Sequence, residues 1–135
     1  MIELHGWITI RETYKVIFEE EDQIGLVIEK IQEYINQLFW FKPKIRAQNG
    51  EYFIDFSLFA NRVNPQIQEV FELYQYIGKI AEGSYGLIYL YNDEDINGKE
   101  NQFQVFSLCR GMVNENKDPF LSPIIPTIED KDKSN

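Results

Sequence analysis

The chain has 135 residues, a formal net charge of −9 at pH 7, and 44% hydrophobic and 15% aromatic residues. This length is typical of one domain, and the hydrophobic content excludes an intrinsically disordered chain. A net negative charge is the opposite of what a phosphate backbone attracts, so we expect no nucleic-acid partner. The single cysteine excludes an internal disulfide and a cysteine-rich zinc site, and it is typical of a reducing compartment.

The amino terminus and the hydropathy pattern predict a cytoplasmic protein. Residues 1–6 contain neither a basic segment nor a long apolar segment of the kind that a secretory signal has. The later apolar runs are all shorter than the roughly 20 residues that a membrane-spanning helix needs. We therefore expect no membrane partner.

The first elements are a strand and a helix. Residues 2–11 place apolar side chains at alternating positions, which is typical of a strand. Residues 24–38 repeat apolar side chains at helical spacing, and Pro43 predicts that this helix has ended before Lys42. The acidic run Glu19 to Asp22 precedes the helix, where the positive end of the helix dipole favours carboxylates.

Residues 43–48 and 51–60 predict a β-hairpin, because Asn49-Gly50 between them tolerates the positive φ angles of a tight turn. Aromatic residues fall on both faces of the second of these strands. We therefore expect the sheet to be covered, at least partly, on both sides.

The next segment predicts a second helix followed by two strands. Asn64 is a good helix cap and Pro65 fits the first helical position. Gly83 is predicted to end the helix in a left-handed conformation. Residues 85–91 and 102–112 are both typical of strands.

This order predicts an α+β fold, namely a ferredoxin-like β-α-β-β-α-β sandwich with an extra C-terminal edge strand. Both helices are expected on one face of an antiparallel sheet. The apolar segment Phe120 to Pro126 is expected to dock as a tail on the other face. We expect one domain over residues 1–128, with a polar, frayed tail over 129–135.

Trp7, Phe53 and Phe59 are predicted on the sheet face away from the helices. A similar aromatic face stacks bases in RNA-recognition modules, but those modules place basic residues beside the aromatic ones. Here Asp55 follows Phe53 on the same face, and the whole protein is acidic. We therefore favour packing of these aromatic residues beneath the C-terminal tail.

The segment Asp93 to Gly98, with the sequence DEDING, matches the opening of a calcium-binding loop. The match is incomplete: Gln104 occupies the twelfth position, where a bidentate glutamate is required, and Glu100 occupies the usual hydrophobic eighth position. A solvated hairpin loop that turns at Asn97-Gly98 is the favoured interpretation. We predict no metal and no cofactor.

No catalytic residue is predicted. His5 is the only histidine, and the spacing of the sequence places no serine, cysteine or acid with it in a catalytic pattern. We expect its side chain on the sheet face away from the helices. Cys109 lies inside a predicted strand and is expected in the core. Gly83 to Gly86 lacks the lysine of a phosphate-binding loop and is predicted to be a turn.

The segment Glu3 to Arg11, with the sequence ELHGWITIR, and the later Gly83 to Gly86 resemble the immunity protein 7 family of bacterial polymorphic toxin systems. Arg110-Gly111, Asp118 to Pro123 and Pro126 are similar to the C-terminal pattern of that family, so the resemblance spans residues 1–129. It implies a non-catalytic cytoplasmic protein that binds and neutralises a cognate toxin domain. It also marks residues of structural or binding role, which are Trp7, Arg11, Gly86, Arg110 and Asp118.

The acidic charge favours a basic toxin, for example a nuclease. Because loop carboxylates do little for folding, we predict the toxin contact on the hairpin loop at Asp93, Glu94, Asp95 and Glu100. The run Glu19 to Asp22 is the second choice, since the helix dipole already explains it. The alternatives are a small calcium- or ligand-binding module and an enzyme with an unrecognised site.

Overall fold

The computed structural model describes residues 1–13 and 23–131, so the acidic run Glu19 to Asp22 lies outside the described residues. The strands are β1 (Ile2–Ile10), β2 (Arg46–Gln48), β3 (Glu51–Ala60), β4 (Tyr85–Asn92), β5 (Phe103–Cys109) and β6 (Met112–Lys117). The helices are α1 (Ile24–Gln37), α2 (Pro65–Ile80) and α3 (Ile124–Thr127). Within the described ranges, no helix has the length and apolar character needed to cross a membrane.

The six strands form one antiparallel sheet in the order β2-β3-β1-β4-β5-β6. The fold is therefore α+β, as the sequence predicts. Alternate residues of β1 point to opposite faces of this sheet. Leu4, Ile8 and Ile10 are buried in the core with the helices, so His5 and Trp7 lie on the other face.

The two long helices follow the predicted patterns. α1 buries Val27, Ile31 and Ile35, which recur every four residues on one side. At the start of α2, the Asn64 side chain accepts a hydrogen bond from the Ile67 N–H at 3.3 Å. This cap confirms the predicted helix start.

A close approach at Gly6 lets α2 pack against β1. Tyr74 on α2 is fully buried, and its hydroxyl donates to the Leu87 carbonyl at 2.9 Å. Burial raises the pKa of Tyr74. A Cβ atom at position 6 would lie 2.5 Å from this hydroxyl and 2.5 Å from the Phe56 ring. Position 6 therefore requires a glycine, because the Tyr74 side chain packs directly against β1 there.

The single strand predicted over residues 102–112 was wrong, because the chain reverses inside it. Arg110 and Gly111 have φ angles of 50° and 76°, the left-handed region used by tight hairpin turns. Cys109 then pairs with Met112, and β6 continues to Lys117. The sheet thus has two strands after β4, and the tail begins at Asp118.

The predicted left-handed end of α2 at Gly83 was also wrong. The helix ends at Ile80 with Ala81 as its C-cap, and Gly83 is not among the glycines of positive φ. A Cβ atom at position 83 would lie 2.2 Å from the Thr13 carbonyl carbon. Glycine is needed there because two backbone segments cross closely.

Candidate functional site

The acidic loop between β4 and β5 contains the four predicted toxin contacts. The Asp93 carboxylate lies 2.6 Å from the Met1 ammonium group and raises the pKa of that amine. Asp95 Oδ2 accepts hydrogen bonds from the N–H groups of Asn97 and Lys99 at 2.9 and 3.0 Å. Two of the four carboxylates therefore stabilise the loop itself, contrary to the argument that loop carboxylates do little for folding.

The other two carboxylates are directed at solvent. Glu94 and Glu100 are exposed. Within residues 1–13 and 23–131, neither carboxylate accepts a hydrogen bond. Ile96 at the loop tip is also exposed. The described part of the chain contains no group of three His, Cys, Asp or Glu side chains arranged to hold a metal ion.

The sheet face away from the helices is largely open. Trp7 is 41% exposed and Phe59 is 66% exposed. Within the described residues, the tail docks on this face at one corner, where Phe120 and Leu121 lie beside Tyr89 and Phe103. The expectation that the tail covers Trp7 and Phe59 was therefore wrong.

Asp118 explains why the tail stays at the corner. Its carboxylate accepts the N–H groups of Phe120 and Leu121 at 2.9 and 3.1 Å and the Ser122 hydroxyl at 2.9 Å. Burial acts to raise the pKa of Asp118, but these donors outweigh it and hold the pKa below its usual value. Ser122 in turn accepts the Phe103 N–H at 2.9 Å. The segment therefore forms a compact turn anchored to β5 instead of crossing the sheet.

His5 lies on the open face, as predicted, and it joins two side chains that the sequence spacing did not indicate. Its Nδ1 is 2.7 Å from Ser57 Oγ, and its Nε2 is 2.6 Å from Glu3 Oε2. A serine, a histidine and a carboxylate in contact suggest nucleophilic catalysis, but such sites also need N–H donors aimed at the reacting oxygen. Backbone N–H groups in a sheet point along its plane to neighbouring strands. The backbone around Ser57 is therefore not arranged as an oxyanion hole.

Four further residues that the family resemblance marked are Trp7, Arg11, Gly86 and Arg110. Gly86 has a structural role, and the other three are exposed. A Cβ atom at Gly86 would lie 2.0 Å from the Trp7 carbonyl oxygen, so this glycine permits β1 and β4 to pair. The Trp7 ring meets Tyr85 edge to face at 5.9 Å between centroids. Arg11 and Arg110 are exposed at the end of the sheet opposite the acidic loop.

A comparison with protein families gives one match across nearly the whole chain. A family model described as Immunity protein 7 matches residues 1–130. The chain belongs to the immunity protein 7 family. No curated protein and no solved structure matches it. Membership of this immunity protein family implies a protein toxin as the partner and a role that is not enzymatic.

Two exposed aromatic residues of this immunity protein were missed by the sequence analysis. Phe39 and Trp40 follow α1 and project into solvent. The buried carboxylate of Glu69 accepts the backbone N–H groups of Phe39, Trp40 and Phe41 at 3.0, 2.7 and 2.9 Å. The sequence did contain a signal for this feature. It was the run Phe-Trp-Phe just after the end of α1, together with Glu69 beside the apolar stripe of α2.

Cys109 was predicted in the core and is exposed instead. The register of β5 places it on the open sheet face, next to the turn at Arg110-Gly111. Its neighbour Leu108 is buried on the helix side of the sheet. Successive residues of a strand point to opposite faces, so Cys109 points away from the helices.

Proposed function

We propose that this protein binds a cognate toxin domain of a bacterial polymorphic toxin system and neutralises it without altering it chemically. The observation that carries this proposal is the family match across residues 1–130. The arrangement of His5 and Ser57 supports it, since their backbone surroundings do not stabilise a developing oxyanion.

The proposed partner is a basic toxin domain, for example a nuclease. The net charge of −9 favours fast association with a positively charged surface. An inhibitor of this charge would meet the surface that such a toxin uses for nucleic acid. We place this encounter in the cytoplasm of the producing cell, where the single cysteine stays reduced.

We also propose that residues 1–128 form one domain built on a ferredoxin-like arrangement. The support is the central strand order β2-β3-β1-β4, together with the two long helices that pack on one face. β5 and β6 then extend the sheet beyond β4.

The acidic loop is the proposed point of electrostatic attraction. Asp93 and Asp95 hold the loop in shape, while Glu94 and Glu100 present their charge to solvent. An exposed pair of this kind contributes little to stability but accelerates the approach of a basic partner. The pattern residues Trp7, Arg11, Gly86, Arg110 and Asp118 are assigned to structural or binding roles, with Gly86 and Asp118 serving the fold.

Co-purification with the toxin domain encoded beside the gene tests the function. We expect a stable complex in which the intact masses of both proteins are unchanged, and we expect cells to survive the toxin when both are produced. Absence of a complex would contradict the binding function. A modified or cleaved toxin would instead indicate an enzyme.

Charge variants test the loop. Glu94→Gln combined with Glu100→Gln should slow association and weaken its salt dependence, while dissociation stays nearly unchanged. The matched control removes the same charge from exposed positions of α1, with Glu29→Gln and Glu33→Gln. Equal association rates for the two double variants at low salt would exclude the loop as the point of attraction.

A further inference from the structure

Phe39 and Trp40 form an exposed aromatic pair at one end of the molecule. Phe39 is 83% exposed and Trp40 is 60% exposed. Each aromatic side chain presents up to about 150–250 Å² of surface, so this pair holds much of the apolar area that a monomer usually exposes in one patch. Large exposed patches of this kind mark sites of interaction with other proteins.

The backbone beneath this pair is fixed before any partner arrives. Glu69 is buried and accepts three successive N–H groups, those of Phe39, Trp40 and Phe41. Gln66, one turn earlier on α2, donates from its side chain to the Trp40 carbonyl at 3.1 Å. A backbone ordered in advance lowers the entropy lost on binding, which is typical of strong interface anchors.

The aromatic pair adjoins further exposed apolar residues. Asn64, Pro65 and Gln66 line both a depression beside Trp40 and a second one that contains Met1, Phe59 and Val63. Val63 is 66% exposed. We name the apolar corner as the set of residues Met1, Phe39, Trp40, Phe59 and Val63.

The charge around the apolar corner indicates which partner fits it. Met1 belongs to the corner and its ammonium group is paired with Asp93, so the corner is continuous with the acidic loop. An apolar centre beside a charged rim is the usual composition of a protein interface. Arg62 also lines the second depression. The partner surface that fits this corner is therefore apolar at its centre and basic where it meets the acidic loop. It also carries a hydrogen-bond acceptor beside Arg62.

We propose that the apolar corner is the energetic centre of the contact with the cognate toxin domain, and that the acidic loop is its rim. This inference rests on the proposed function and assigns the surface that performs it. Trp40 is the main anchor, Phe39 and Val63 supply further apolar contacts with the toxin, and Glu94 steers the basic side of the toxin onto the corner. Glu69 is a positioning residue that acts through the backbone of Phe39 and Trp40.

The experiment measures binding of the purified toxin domain, encoded beside the gene, to single variants Trp40→Ser and Val63→Ser. We expect each to weaken binding by about 30-fold or more, mainly through faster dissociation. Leu26→Ser and Met112→Ser are the controls, because both residues are exposed apolar side chains at the opposite end of the molecule. The controls should bind within about threefold of the wild-type protein.

The outcomes separate this inference from the proposed function. Absence of wild-type binding would overturn the function and the inference together. Wild-type affinity in both corner variants, with unchanged melting temperatures, would overturn the inference alone. Sedimentation of the free protein over a wide range of concentration tests a second copy as the occupant. Self-association that Trp40→Ser abolishes would replace the toxin with another copy of this chain.

Discussion

Glu69 Oε1 on α2 accepts the backbone N–H of Trp40 at 2.7 Å, across 29 residues of chain. The same carboxylate serves the two neighbouring N–H groups, so a single buried acid holds the segment between α1 and β2. It contacts both the core and the exposed aromatic pair. Its replacement should therefore alter stability as well as the surface above it.

Glu69→Gln should lower the free energy of unfolding by about 2 kcal/mol, because one acceptor becomes an amide donor that faces the Phe39 N–H. For a domain of this size the melting temperature should fall by roughly 5–10 °C. Glu33→Gln, at an exposed position of α1, is the control and should change stability by less than about 0.5 kcal/mol. Chemical denaturation of both variants measures the difference, and equal values would refute the role assigned to Glu69.

Stability should decline in acid because of Glu69 and Asp118. Burial acts to raise both pKa values, but backbone N–H donors outweigh it, so both lie below their usual values of 4.5 and 3.8. A carboxyl whose pKa is lower in the folded protein contributes stability that is fully present above its unfolded pKa and is lost as the pH falls through the folded pKa. The free energy of unfolding should thus decline below about pH 4.5.

Urea denaturation between neutral and acidic pH measures this decline. Glu69→Gln combined with Asp118→Asn should be less stable at pH 7 and should lose less stability in acid than the wild-type protein, because the two titrating groups are gone. A double variant whose stability follows the wild-type slope would show that other groups cause the acid sensitivity.

Two glycine substitutions should have opposite effects. Gly86→Ala places a Cβ atom 2.0 Å from the Trp7 carbonyl oxygen and 2.9 Å from the Ile8 Cα, so β1 and β4 must separate. We expect a loss of about 4 kcal/mol or more, or a failure to fold. The Cβ atom of Gly25→Ala in α1 meets no other described residue within 4 Å, so this change should stabilise the protein by about 0.5 kcal/mol. Thermal unfolding of both variants gives the comparison.

Millimolar calcium should leave the melting temperature nearly unchanged. Asp93 is paired with Met1, and Asp95 Oδ2 already accepts two backbone N–H groups of the loop. Gln104, at the twelfth position, lies in β5 and donates to Glu115 on β6 at 3.0 Å. A ligand at 100 times its dissociation constant would add about 2.7 kcal/mol, or on the order of 10 °C. A rise of that size, reversed by a chelator, would support the calcium-binding alternative.

The sequence predicted those parts of the fold whose signals are local. Asn49-Gly50 marked the first hairpin, and both residues have the expected positive φ angles of 52° and 81°. Asn64 and Pro65 marked the start of α2 for an equally local reason. Arg110-Gly111 makes a similar turn, but arginine disfavours positive φ, so no local preference announced it. The strand β6 was missed together with that turn.

The candidate site was less predictable than the fold because its contacts join distant segments. The acidic loop was visible in sequence as a run of carboxylates, yet the pairing of Asp93 with Met1 spans 92 residues. His5 meets Ser57 only because β1 pairs with β3 in one register. A shift of that register by one residue would send these side chains to opposite faces of the sheet.

The sequence by itself determined the acidic charge, the helix and strand periods, and the family, since each depends on residue type and spacing along the chain. The tertiary structure alone decided which surfaces stay open. Asp118 holds the tail in a turn at one corner of the sheet, which leaves Trp7 exposed. Glu69 likewise fixes Trp40 in solvent. Whether a side chain is exposed depends on what packs over it. For Trp7 and Trp40, the hydrogen bonds of the Asp118 and Glu69 carboxylates decide this, and not the tryptophan residues themselves.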